Sequence, residues 1–171
     1  MNMKRLCLIV AMCVLAARMF AQEDVVVAQD TLNHWLTYDI AEQTVLDSLG
    51  APDAKGEWEY WDDDANYHQR WEYTSLGLTL WIVSNSYQEY IVETIFLTDN
   101  SSFVTTKGIH IGTPKEQVLD LYDAQSKNPY EDGVFYVNSN LLIIGNVLKS
   151  TLFRFTDDKV SMIVIGGGFG E

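Results

Sequence analysis

The sequence predicts an α+β protein built from two tandem units, each a helix followed by about four antiparallel strands. Three observations predict it. Two short amphipathic helical patterns recur 73 residues apart, with Val45 matching Val118. Each is followed by four short runs rich in β-branched and aromatic residues. Turn residues separate those runs, as at Ser75-Leu76-Gly77, Asn138-Ser139-Asn140 and Asp157-Asp158.

The first element is not expected to join the fold. Lys4 and Arg5 precede an apolar run from Leu6 to Ala17, and Phe20-Ala21-Gln22 follows. That order reads as a secretory signal over residues 1–21, cut after Ala21. The run is short of the ~20 apolar residues of a membrane span. Cys7 and Cys13 both lie in this segment, behind Leu6 and Met12, which do not suit lipidation. The mature chain is therefore expected to lack disulfides and thiol chemistry. Residues 22–34 read as a polar lead-in.

The first unit spans residues 35–98. Its helix is placed at Ile40 to Leu49, with Asp39 as cap and Glu42 in the first turn. Val45, Leu46 and Leu49 form the apolar face, Gly50 stops the helix, and Pro52 follows. Strands are placed at Trp58 to Trp61, Gln69 to Thr74, Leu78 to Val83 and Tyr90 to Thr98. Residues 99–107 are a polar linker, and Asn100-Ser101-Ser102 within it reads as a plain loop.

The second unit spans residues 108–166. Thr113-Pro114-Lys115-Glu116 reads as a capping box with Pro at the first helical position. Val118, Leu121 and Tyr122 share a face. Strands are placed at Val134 to Asn138, Leu141 to Gly145, Thr151 to Phe155 and Val160 to Ile165. Gly166-Gly167-Gly168 starts a loose tail, given bounds of 167–171. The string from Glu42 to Asp47 matches that from Glu116 to Asp120 apart from an inserted Thr44. The pattern reads as an internal duplication.

Gly108-Ile109-His110-Ile111-Gly112-Thr113-Pro114, followed by Val118 and Leu121-Tyr122, resembles the opening of the beta-lactamase-inhibitor-protein-like repeat. Outer-membrane assembly lipoproteins of the SmpA/BamE type share that unit. Leu49-Gly50-Ala51-Pro52-Asp53 resembles the close of the same helix in the other copy. Tyr38-Asp39-Ile40 replaces the glycine-rich lead in the first copy, and Asp123 stands at a glycine position in the second. The resemblance implies one long curved antiparallel sheet with the helices packed on one face. It also implies a protein that binds other proteins and is not an enzyme. No family binding loop matches, so no contact residue carries over.

Composition narrows the chemistry. The chain has 11 Lys plus Arg against 24 Asp plus Glu, a net charge of -13. Losing Lys4, Arg5 and Arg18 with the signal leaves 8 bases against the same 24 acids, a net of -16. Such acidity disfavours nucleic acid, whose phosphates need cationic side chains. A 47% hydrophobic content excludes a disordered chain. His34, His68 and His110 lie far apart without a metal-binding spacing, which predicts satisfied or surface histidines and no metal. Asp62, Asp64 and Asn66 fit the start of a calcium loop, but Tyr67 and Tyr73 stand where its glycine and closing Glu belong. A solvated acidic loop is the better reading. Glu57, Glu59, Glu72 and Glu93 lie on or beside strands, where two acids can meet at glycosidase spacing. With 24 acids that coincidence is expected, so a carboxylate glycosidase ranks last. No G-x-S-x-G elbow is present.

The aromatic residues carry the functional reading. Trp58, Tyr60, Trp61, Tyr67, Trp71, Tyr73, Trp81, Tyr87 and Tyr90 crowd the first unit. Strand alternation puts Trp58 with Tyr60, and Trp71 with Tyr73, on shared faces. Exposed Trp and Tyr make protein-binding hot spots and stack on sugars. The expectation is a secreted or periplasmic non-enzymatic module, an inhibitor or assembly factor, that takes no cofactor. Trp58, Tyr60, Trp71, Tyr73 and Trp81 would bind a basic or apolar protein partner. The alternative is a carbohydrate or small-ligand binder.

Overall fold

The computed structural model describes residues 30–84, 89–122, 134–145 and 149–167, with backbone alone for 134–137. The expected signal, most of the lead-in, Tyr87 and the end of the tail lie outside the described residues. Helix α1 (Glu42–Leu49) precedes β1 (Ala54–Lys55), β2 (Glu59–Trp61), β3 (Asn66–Tyr73), β4 (Leu78–Ser84) and β5 (Tyr90–Leu97). Helix α2 (Lys115–Tyr122) precedes β6 (Val134–Asn138), β7 (Leu141–Gly145), β8 (Ser150–Thr156) and β9 (Lys159–Gly166). The protein is thus α+β, with one wholly antiparallel sheet in the order β1-β3-β4-β5-β9-β8-β7-β6. Strand β2 shares the outer edge of β3 with β1. Among the described residues, no helix is long and apolar enough to cross a membrane.

Strand alternation sorts the side chains. Trp71 and Tyr73 of β3, Leu78, Leu80 and Ile82 of β4, and Ile95 and Leu97 of β5 face one way and are buried. Phe153, Phe155, Ile163 and Ile165 continue that face into the second unit. Val45 of α1 and Val118 and Tyr122 of α2 belong to the same buried cluster, so both helices cover this face. The opposite face carries Arg70, Glu72, Thr79, Trp81 and Phe96.

The two units dock their helices through matching backbone bonds. The Asp39 N–H donates to the Val92 carbonyl, and the Val92 N–H returns to Ile40. The Gly112 N–H donates to the Val160 carbonyl, and the Val160 N–H returns to Thr113. Ala41 bridges Ile91, and Pro114 bridges Lys159. Asp39 and Gly112 both have positive φ, at 63° and 90°.

These bonds explain where the sequence reading shifts. α1 starts at Glu42, not Ile40, because residues 39–41 are tied to β5 by backbone bonds and a bridge, with Ala41 extended. Asp39 caps nothing: α1 has no side-chain cap, and the Asp39 carboxylate lies 3.4 Å from the Lys149 ammonium. Pro114 lies in a β-bridge just before α2, and the Thr113 hydroxyl accepts the His110 N–H at 3.0 Å. Gly50 ends α1 as expected, with φ of 76°. The turn at Ser75-Leu76-Gly77 forms with Gly77 left-handed at φ 55°, where a Cβ would lie 2.6 Å from the Asp99 carbonyl oxygen.

The polar connectors contribute to the core as well. Leu32 bridges both Leu36 and Thr105, and Leu32 and Phe103 are buried. Beneath them the Tyr122 hydroxyl and the Thr106 hydroxyl both donate to the buried Asp30 carboxylate. Burial first, and Asp30 second, push the Tyr122 phenol well above its ordinary range. Gly166 is no tail residue: it closes β9, and a Cβ there would collide with the Glu93 carbonyl oxygen.

Candidate functional site

The rings of the first unit divide into three groups. Trp71 is fully buried, its Nε1–H donating to Gln69 Oε1 at 2.7 Å, with the Lys55 ammonium 3.7 Å from the ring centre. Tyr73 is also buried and donates to the Gly50 carbonyl at 2.9 Å. Burial, then the Asp53 charge, push its phenol up to about 12. Both rings face the helices, so the expectation that Trp71 and Tyr73 present a partner-binding surface is corrected: they fill the core.

Trp58 and Tyr60, by contrast, are exposed, at 38% and 51%. Each has an exposed neighbour that the candidate set omits. Trp58 meets Tyr90 with centroids 5.4 Å apart, and Tyr60 meets Tyr67 at 5.2 Å. Tyr60 and Tyr67 are direct cross-strand partners between β2 and β3. Glu57, Glu59 and Glu89 are exposed beside these rings in sequence. The result is an exposed aromatic surface, while Glu59, opposite His68 on β3, alternates to the other face of the strand.

Trp81 belongs to a third group, on the helix-free face. It is half-buried and floors a groove of about 270 Å³ with Arg70, Thr79, Phe96 and Thr98. Arg70 lies 3.2 Å from Glu72, which accounts for one of the four strand acids. Trp81 also touches Trp61, and Trp61 stacks flat on the His68 ring, 3.8 Å between centroids and 14° between planes.

His68 is the residue the sequence hides. It lies on β3 opposite Val83, on the helix-free face, yet is fully buried beneath Trp61. Its Nε2 is 2.9 Å from Asp64 Oδ2, and its Nδ1 is 3.0 Å from Glu93 Oε2. Glu93 gets there through a β-bulge. Trp81 pairs Thr94 and Ile82 pairs Val92, leaving Glu93 as the extra residue. Asp64 gets there through the turn from β2 to β3, where it accepts from the Asn66 backbone at 3.1 Å and from the Asn66 amide. Burial pushes the Glu93 carboxyl up, and the Asp64 and Asp63 charges add to this against the lowering effect of His68. Burial opposes ionisation at Asp64 too, but the Asn66 hydrogen bonds and His68 bring its carboxyl below the ordinary value.

The acidic loop is thus placed differently from the calcium pattern. Asp64 and Asn66 bond each other, while Asp62 is exposed in the same turn and joins neither. Ligand atoms of Asp64, His68 and Glu93 lie within 4.8 Å of one another. Only the period-2 pattern of β3 could have signalled His68, and a single polar residue there carries no weight. The bulge that brings in Glu93 has no sequence signature. No family model, curated protein or solved structure matches the chain.

Proposed function

We propose that the chain is an exported, periplasmic or secreted protein-binding module without catalytic activity. The observation that carries this is the exposed ring surface of Trp58, Tyr60, Tyr67 and Tyr90. Large rings in mutual contact offer apolar area at low entropic cost, which is the chemistry of interface hot spots. A net charge of -13 and the apolar rings favour a basic or apolar partner surface. The matched backbone bonds around Val92 and Val160 support a duplicated helix-and-strand unit of the beta-lactamase-inhibitor-protein-like kind. The basic start at Lys4 and Arg5 and the short hydrophobic run before Ala21 support export.

Affinity capture from periplasmic extract tests the reading. A partner retained by the wild type and by Leu121→Ala, but lost by the Trp58→Ala/Tyr60→Ala double variant, is the expected result. Leu121 is exposed and lies on α2, away from the four rings. Equal recovery by all three proteins would refute it.

A second reading, a carbohydrate or small-ligand binder, is favoured by the groove over Trp81 and Phe96. It predicts glycan-array binding that Trp81→Ala abolishes and Trp58→Ala leaves intact.

A further inference from the structure

We propose that His68, Glu93 and Asp64 form a site for one zinc ion, with His68 Nδ1 and Glu93 as protein ligands and Asp64 orienting the imidazole. Nothing in this rests on the aromatic surface.

Asp64 Oδ2 is a carboxylate oxygen in hydrogen-bonding position on Nε2. A carboxylate accepts, so Nε2 carries the hydrogen and Nδ1 presents its lone pair. Yet Nδ1 faces another carboxylate oxygen at 3.0 Å. Two acceptors at that distance repel unless a cation lies between them. Nδ1 is also fully buried and has no aligned hydrogen bond. Buried polar atoms are almost always satisfied, so such an atom requires a partner.

Two occupants fit between acceptors: a proton or a metal ion. A proton would lie in the ring plane and give an aligned N–H···O bond, which the Nδ1–Glu93 geometry lacks. A metal also binds on the in-plane lone pair of Nδ1, but its carboxylate ligand stands off that axis at the coordination angle, so Glu93 need not lie in line with the ring nitrogen. Zinc bonds His nitrogen at roughly 2.0–2.1 Å and carboxylate oxygen at roughly 2.0–2.2 Å. A tetrahedral angle sets two such ligand atoms about 3.3–3.5 Å apart, so the 3.0 Å between Nδ1 and Glu93 would open by a few tenths of an ångström on binding. The mixed nitrogen and oxygen donor set suits zinc better than calcium, which takes oxygen ligands.

The surroundings suit a dication. Asp64 on the far ring nitrogen reproduces the carboxylate–histidine–zinc arrangement that fixes tautomer and raises ligand basicity. Asn66 holds Asp64 in turn. The Glu93 and Asp64 side chains are about a quarter and a third exposed, so water can enter to complete the coordination. Burial disfavours an ionised Glu93, and a bound cation would relieve that.

The test is calorimetric titration of the full metal-stripped chain with zinc chloride, paired with thermal melting. One zinc per chain and a raised melting temperature are expected for the wild type, with no heat from calcium chloride. Glu93→Gln keeps the shape and should weaken zinc at least tenfold. Asp64→Asn should weaken it by about 10–100-fold, as loss of an orienting partner does. His68→Gln should abolish it. Circular dichroism must match the wild type for a variant to count. If His68→Gln fails to fold, Glu93→Gln decides alone. No zinc heat from the wild type means that a proton occupies the gap, and the proposal is overturned. Zinc binding unchanged in Glu93→Gln, or calcium binding equal to zinc, overturns it as well.

Discussion

The two units contain the same backbone irregularity and use it differently. In the first, Glu93 is the extra residue opposite Trp81 and Ile82. In the second, Ser161 is the extra residue opposite Arg154 and Phe155. Both bulges sit on the last strand of their unit, one residue after the valine that anchors the helix start. Glu93 reaches across to a buried histidine. Ser161 finds its partners next door, accepting from the Thr156 hydroxyl at 3.0 Å and donating to the Arg154 carbonyl at 3.3 Å. The bulge is therefore a property of the scaffold, which bends the sheet beneath each helix. The chemistry lies in the side chain placed on it. A charged residue is costly there and needs a partner, whereas a hydroxyl is satisfied locally.

The largest expected effect comes from the contact that fits β9 against the first bulge. Gly166 has φ of 134°, and a Cβ would collide with the Glu93 carbonyl oxygen and lie 3.0 Å from Thr94 Cα. Gly166→Ala should cost about 3 kcal/mol, since both the conformation and the space are lost. Urea denaturation reads this directly. A cost below about 1 kcal/mol would mean that the join between the units yields freely. Next, Val45 and Val118 are both fully buried at equivalent turns of α1 and α2. Val45→Ala and Val118→Ala should each cost about 2 kcal/mol, from lost transfer energy plus the cavity. Equal costs support equivalent helices, and a difference above ~1 kcal/mol would break the parallel.

What the sequence showed and what it hid divide along the same line. The β-strands from Leu78, Tyr90 and Leu141 onward were legible because their alternation is set by burial on one face. The helix ends at Gly50 and the spacing from Val45 to Val118 were legible for similar local reasons. Asp39 misled because its cap chemistry lost to backbone pairing with β5, a contact more than fifty residues away. Trp71 and Tyr73 were recognisable as a pair on one face, but nothing local says which face the helices cover. Trp58 and Tyr60 lie on β2 and its approach, a short edge segment beyond the helix, so their rings stay exposed. His68 and Glu93 were not legible as partners, because they meet across β4 and through a bulge.

Alkaline pH gives a smaller effect, to which Tyr73 in the first unit contributes. Its counterpart in the second unit by strand register is Ile144, which does not titrate. The folded-state phenol of Tyr73 rises from 10.0 to about 12, so above pH 10 the unfolded chain loses its proton first. The folded state then binds more protons, and stability falls as pH rises through 10 to 12. Tyr122, raised in the same direction, adds to the decline. Tyr73→Phe loses one hydrogen bond at every pH but should flatten this decline by about 1 kcal/mol, allowing for solvent screening. Melting temperatures at pH 8 and pH 11 for the two proteins check it. Parallel declines would place the alkaline sensitivity elsewhere.

The smallest effect is the most direct test of the comparison. If the second bulge is scaffold alone, its side chain is dispensable. Ser161→Ala removes two hydroxyl contacts on a partly exposed strand, where water can replace them. The expected cost is about 0.5 kcal/mol, the low end for a hydrogen bond. The urea slope should be unchanged, since the bulge itself is made by the backbone. A cost above about 2 kcal/mol, or an altered slope, would show that Ser161 holds the bulge open. The two bulges would then differ in how they are maintained, and Glu93 could owe its position to His68 rather than to the strand. Because the Glu93 bulge is also buttressed by Gly166, comparing Ser161→Ala with Gly166→Ala separates side-chain support from backbone fit.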